Sequence, residues 1–112
     1  MTDQANTAAI RKLNDALREG RDPNGCIMLT EGIRAGGEAF VRDVFKAVQA
    51  FDAFDANNDP YAEHDFGALT VEDRKIFFKV DYFDRLLTAG SPDPADPCVT
   101  IRVLTIMLAE EY

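Results

Sequence analysis

The sequence predicts an α+β fold: a small, mostly antiparallel sheet of about three strands packed by about three helices, in the order α-β-α-β-β-α. Three observations carry that reading. Residues 7–19 and 38–51 repeat apolar side chains at helical spacing. Residues 66–71 and 75–84 are aromatic and β-branched runs separated by Glu72, Asp73 and Arg74, a hairpin signal. The content is 46% hydrophobic and 29% charged over 112 residues, which fits one globular domain spanning 1–112.

The first helix, TAAIRKLNDALRE, lines up Ile10, Leu13 and Leu17, while Asp15 and Glu19 alternate with Arg11, Lys12 and Arg18 on the wet face. Gly20 is a helix stop, and Asp22-Pro23-Asn24-Gly25 reads as a turn. CIMLT at 26–30 is a short strand, and Gly32 to Gly37 a loop or a broken turn. The second helix, EAFVRDVFKAVQAF, stripes Phe40, Val41, Val44, Phe45, Val48 and Phe51. The acidic stretch that follows, up to Gly67, is a loop.

In the second hairpin strand Ile76, Phe78, Val80 and Tyr82 are the expected core face. Phe77, Lys79, Asp81 and Phe83 are the expected outer face. GSPDPADP at 90–97 is a loop whose Asp96-Pro97 offers an N-cap and a first helical residue. The run after it sets Val99, Val103, Ile106 and Met107 against Arg102, Thr105 and Ala109, which predicts a third helix.

The formal net charge is -8, from 20 acids and 12 bases. Direct nucleic-acid binding is disfavoured, because phosphate neutralisation needs a basic face. Cys26 and Cys98 lie far apart with no metal-ligand spacing, which points to reduced thiols and a cytoplasmic protein. The N-terminal stretch has no apolar core of signal-peptide length, and no run reaches the length of a membrane span.

Two strings, EHDFGAL at 63–69 and SPDPADPCVTIRVLTIMLAEEY at 91–112, are joined by FKVDYFD at 78–84. Together they resemble the small bacterial family catalogued as domain of unknown function 3768. KLNDALR at 12–18, IMLTEGI at 27–33 and AFDAFDANNDPYAEHDFG at 50–67 extend the resemblance over nearly the whole chain. It implies no enzyme activity and transfers no catalytic residues. It implies a setting among plasmids and other mobile elements, which favours defence, counter-defence or plasmid upkeep.

The acidic stretch holds Asp52, Asp55, Asp59, Glu63 and Asp65 around the sole histidine, His64. Asp55, Asn57 and Asp59 match the opening ligands of an EF-hand loop. Pro60 stands where that loop needs glycine and Phe66 where it needs a bidentate glutamate. An Asx-rich turn is the competing reading. A transition metal would have one histidine and carboxylates only, so no metal and no cofactor are expected. Acid–base catalysis would need carboxylates converging in a cleft, with Asp65, Asp81 or Asp84 as candidates, and His64 beside Asp65 or Asp81 gives an alternative reading as a small hydrolase. No nucleophile motif or phosphate loop is present.

The collective reading is different. The stretches 51–65 and 81–96 hold nine of the 20 acids and one of the 12 bases. If they meet at one end of the sheet, Asp52, Asp55, Asp59, Glu63, Asp65, Asp81 and Asp84 form an acidic patch with Tyr61, Tyr82 and Phe83 interleaved. Such a patch can imitate phosphates and steer a basic surface onto the protein, the aromatics anchoring the contact. The expectation is a non-catalytic inhibitor or adaptor from a mobile element. It would bind a protein or ribonucleoprotein with a basic surface, such as a CRISPR effector or a restriction enzyme. A third reading is an interaction module, a monomer or a homodimer, using an exposed sheet face.

Overall fold

The computed structural model of the chain describes the backbone from Asp3 to Tyr112 and side chains from Asn6 onward. Its elements are α1 (Asp3–Arg18), β1 (Cys26–Leu29), α2 (Glu31–Arg34), α3 (Glu38–Ala50), β2 (Phe66–Val71), β3 (Arg74–Phe83) and β4 (Ile101–Leu108), closed by a 3-10 turn at Ala109–Glu111. The strands make one sheet in the order β1-β4-β3-β2. β1 runs parallel to β4, and the other two pairings are antiparallel. The α+β class stands, with four strands rather than about three.

The helix expected after Asp96-Pro97 is strand β4. Its burial explains the misreading: Arg102, Val103 and Leu104 are buried, and so are Ile106, Met107 and Leu108. A central strand covered on both faces reads as a nearly continuous apolar run, without the alternation that marks a strand. Asp96 caps no helix; its Oδ1 accepts the Cys98 backbone N–H at 2.9 Å in a local turn. Of the loop or broken turn expected at 32–37, the one-turn helix α2 occupies the first half.

Other local signals hold. Gly20, at φ 79°, ends α1 as a left-handed residue, with Arg21 N–H bonded to Ala16 O at 2.8 Å and Gly20 N–H to Leu17 O at 3.2 Å. The β2–β3 turn is two residues long, since Val71 already pairs with Arg74. Glu72 and Asp73 both have positive φ, 52° and 64°, as the tightest hairpins require.

One face of the sheet carries the core. Ile76, Phe78 and Val80 of β3 and Leu104, Ile106 and Leu108 of β4 pack with Leu17, Ile33, Phe40, Val44 and Val48 from the helices. This is the core face expected for β3. Gly67 of β2 is part of that packing: a Cβ there would collide with the Phe78 ring. Strand alternation turns Phe77, Lys79, Asp81 and Phe83, with their partners Met107, Thr105, Val103 and Ile101, to the other face.

Candidate functional site: the loop end of the sheet

β2 and β4 begin, and β3 finishes, at one end of the sheet. The 51–65 and 84–100 loops therefore leave from that same end. Each loop is held by polar side chains drawn from α1 and the sheet. Asn14 lies in the middle of the buried stripe of α1 and is fully buried. Its Nδ2 donates to Glu63 O at 3.0 Å and to Tyr82 Oη at 2.8 Å. Its Oδ1 accepts Arg102 Nε–H at 2.7 Å. Tyr82 Oη in turn donates to Glu63 Oε1 at 2.8 Å. Arg102 Nη2 donates to Pro94 O, and the Arg102 guanidinium lies 5.1 Å from the Tyr82 ring centre. One hub thus ties both acidic loops together. Burial and the neighbouring Glu63 carboxylate hold the Tyr82 phenol well above its ordinary range, so it remains a donor.

A second chain of contacts fixes the 51–65 loop. Buried Arg18 donates through Nη1 to Val48 O, Gln49 O and Phe51 O, satisfying orphan carbonyls at the C-terminus of α3. Its Nη2 reaches Asp15 Oδ1 at 3.0 Å, and the same oxygen lies 2.7 Å from His64 Nδ1. The His64 ring stacks on Phe54 with centroids 3.8 Å apart and planes at 5°. Phe54 meets Phe51, which meets Phe78 of the core, both edge to face.

Asp59 is buried, and its carboxylate accepts the Glu63 and His64 backbone N–H groups. Ala62 and His64 take positive φ, 57° each, a conformation that costs a residue with a Cβ about 1 kcal/mol or more. The buried Asp59 carboxylate stabilises that turn.

The structure sorts the acids named from sequence into distinct roles. Asp52 and Asp55 are exposed. Asp55 Oδ1 also accepts the Asn57 and Asn58 N–H groups, the Asx turn that competed with calcium binding. Asp59 is internal, and Glu63 is engaged by Tyr82. Asp65 is half-buried, and desolvation first, then Glu63, Asp59 and Asp81, push its carboxyl above the ordinary range. Asp81 faces the other side of the sheet, 3.1 Å from Lys79 Nζ. Asp84 folds the following tip by accepting the Thr88 N–H at 3.0 Å and hydroxyl at 3.2 Å, which holds its carboxyl below the ordinary range. Of the three aromatics named from sequence, Tyr61 alone is freely exposed. Tyr82 belongs to the hub, and Phe83 lies half-buried on the opposite face.

Sequence reading missed Asn14 and Arg102 and put Arg18 on the wet face of α1; all three are polar residues that are almost wholly buried. It also missed Leu86 and Leu87, 80% and 60% exposed at the tip organised by Asp84. Leu87 has φ 58°. An adjacent pair of exposed leucines inside an acidic loop was the available signal.

A hollow of about 360 Å³ lies over His64, lined by Phe54, Asp55, Ala56, Asp59, Pro60 and Ala62. No hydroxyl or thiol side chain is among those lining residues. His64 Nε2 faces Asp59 Oδ2 at 3.8 Å, so both ring nitrogens look toward carboxylates. Among the described residues, no group of three or more His, Cys, Asp or Glu is arranged to hold a metal ion. Cys26 and Cys98 are free and exposed. No described helix is long and apolar enough to cross a membrane.

The family described as Protein of unknown function (DUF3768) matches residues 29–111, from the last residue of β1 into the closing turn. The chain belongs to that family. The matched segment contains both acidic loops, Tyr82 and Arg102, while Asn14, Asp15 and Arg18 lie before it. No curated protein and no solved structure matches the chain.

Proposed function

We propose that this DUF3768 protein is a small acidic binding protein, an inhibitor or adaptor without catalysis of its own, which docks the loop end of its sheet on a basic protein or ribonucleoprotein surface. One observation supports the reading: Asn14, Tyr82 and Arg102 link the 51–65 and 84–100 loops through one hydrogen-bonded hub at the same end of the sheet. Exposed Asp52, Asp55 and Asp93 supply its outward charge. Exposed Tyr61, Leu86 and Leu87 of the same two loops supply apolar anchors. The mobile-element setting implied by the family resemblance makes a CRISPR effector or restriction enzyme of host defence the class of target.

The test is a phage or plasmid challenge of cells that carry such a system and express the protein. Wild type is expected to relieve interference, and Asp52→Lys with Asp55→Lys and Asp93→Lys to lose that effect while folding normally. Asp59 and Glu63 are poor positions for reversal, because they hold the loop from within. Protection by the reversed variant equal to wild type, or none from either across the defence systems, defeats the reading.

The hydrolase alternative expected Asp65 or Asp81 beside His64; the carboxylates against the ring are instead Asp15 at 2.7 Å and Asp59 at 3.8 Å, and the Asp15–His64 pair beside a hollow is its one favourable observation. It requires an ester or phosphoester turnover that His64→Gln abolishes. Its weak point is the absence of a nucleophile from the hollow lining, which leaves only an activated water.

A further inference from the structure

A second cleft, of about 450 Å³, opens between α1, the 19–25 turn and the start of β4. We propose that it binds a small organic oxyanion: a carboxylate or phosphate head on a compact apolar body. Arg102 is the reason. It is 8% exposed, and the groups in direct contact with its guanidinium are neutral: Asn14 Oδ1 on Nε, Pro94 O on Nη2 and the Tyr82 ring. Among the described residues Nη1 has no hydrogen-bond partner, and the guanidinium makes no ion pair. Burial disfavours its charge, and the Asp22 and Glu63 carboxylates offset that cost only from a distance, without an ion pair; a ligand anion in direct contact supplies a closer counter-charge.

Arg102 lines the cleft together with Arg85, whose Nη1 donates to Cys98 O at 3.3 Å and holds the side chain at the rim. Two arginines therefore line one space, and the planar donor fork of a guanidinium suits carboxylate and phosphate oxygens. The opposing charge in the lining is Asp22, whose Oδ1 accepts the Asn24 N–H at 2.9 Å. The lining itself carries two arginines against one carboxylate, with Glu63 beyond it on the Tyr82 side, in a chain of net charge -8. Leu13, Ile101 and Pro97 provide apolar wall. The volume falls in the range of small-molecule sites, about 300–1,000 Å³, and far exceeds what a bare phosphate fills.

The site is independent of the acidic-loop reading; either can fail alone. The experiment is an amide and arginine side-chain NMR titration at fixed ionic strength with benzoate, phenyl phosphate and, as neutral control, benzyl alcohol. Saturable shifts at Thr100, Ile101 and the Arg102 Nε–H signal are expected with an anion, the tighter of the two naming the head group. Arg85→Gln, a rim variant outside the core, is expected to weaken binding about tenfold. Asp22→Asn, which keeps the oxygen that Asn24 uses, is expected to tighten it. The proposal is overturned if neither anion saturates, if benzyl alcohol binds as well, or if Arg85→Gln binds like wild type.

Discussion

The two halves of this molecule are held by different forces. Around Phe78, Ile76 and Ile106 the helices meet the sheet through side chains with no polar atoms. At the loop end, Asn14, Tyr82 and Arg102 join α1, two loops and two strands through hydrogen bonds. The apolar half is tolerant in kind: volume matters, direction hardly does. The loop end is the reverse. Each partner is fixed by angle as well as distance, and a missing one leaves buried groups unsatisfied. Such an end holds a defined surface, which suits recognition, at the cost of tolerance to substitution.

The largest expected effect lies in the apolar half. Phe78→Ala should cost about 4 kcal/mol in denaturant unfolding, through lost burial and a cavity against Phe51 and Gly67. Asn14→Ala should come close to it, about 3 kcal/mol, because Arg102 Nε–H, Glu63 O and Tyr82 Oη all lose a partner. The sharper version is Asn14→Leu, which adds apolar surface to a helix stripe. If the hub matters as argued, Leu is no better than Ala there. A stable Asn14→Leu protein would break the comparison and make the loop end an ordinary core with polar ornament.

Asn14 also shows where the sequence stopped being legible. Its partners lie 49, 68 and 88 residues away. In the sequence it interrupts Ile10, Leu13 and Leu17, and no local pattern tells a buried asparagine from a solvated one. Local features could be read: the Gly20 stop, the Asp22–Gly25 turn and the alternating faces of β3 depend on neighbours a few residues apart. β4 could not, because a strand buried on both sides loses its period of two. The acidic stretch was half legible. Its composition was plain, but whether a carboxylate faces water, as in Asp52, or caps backbone from within, as in Asp59, depends on the Phe54–His64 stack and α1.

Tyr82→Phe is the next smaller test. It removes one hydroxyl from the hub, keeps the ring under Arg102, and should cost about 1–2 kcal/mol. Ala62→Gly should act in the opposite direction. Ala62 is exposed at φ 57°, and glycine relieves that strain at some cost in unfolded-chain entropy, for a net gain of about 0.5 kcal/mol. A loss of stability instead would mean that the turn is not strained at Ala62.

The finest contrast is in pH. At the loop end, burial raises the Asp65 carboxyl above its ordinary 3.8. A raised carboxyl binds its proton more tightly folded than unfolded, so ionisation destabilises the fold, fully above the raised value, and the penalty disappears as pH falls to 3.8. At the far end, Glu111 accepts Thr30 Oγ1–H at 2.6 Å, Leu108 N–H at 2.8 Å and Gly32 N–H at 2.9 Å, tying the closing turn to α2. Those bonds, the Thr30 hydroxyl first, hold its carboxyl below the ordinary 4.5. Its stabilisation is complete above 4.5 and fades as pH falls through the lowered value. Asp65→Asn should therefore stabilise at pH 7 and Glu111→Gln destabilise, and both differences should shrink toward zero in acid. Unfolding midpoints of the two variants and wild type from pH 7 to 3 give both signs at once. Equal signs would mean that the Asp65 carboxylate is compensated by its surroundings as Glu111 is, and that the loop end carries no stored electrostatic cost for a basic partner to relieve.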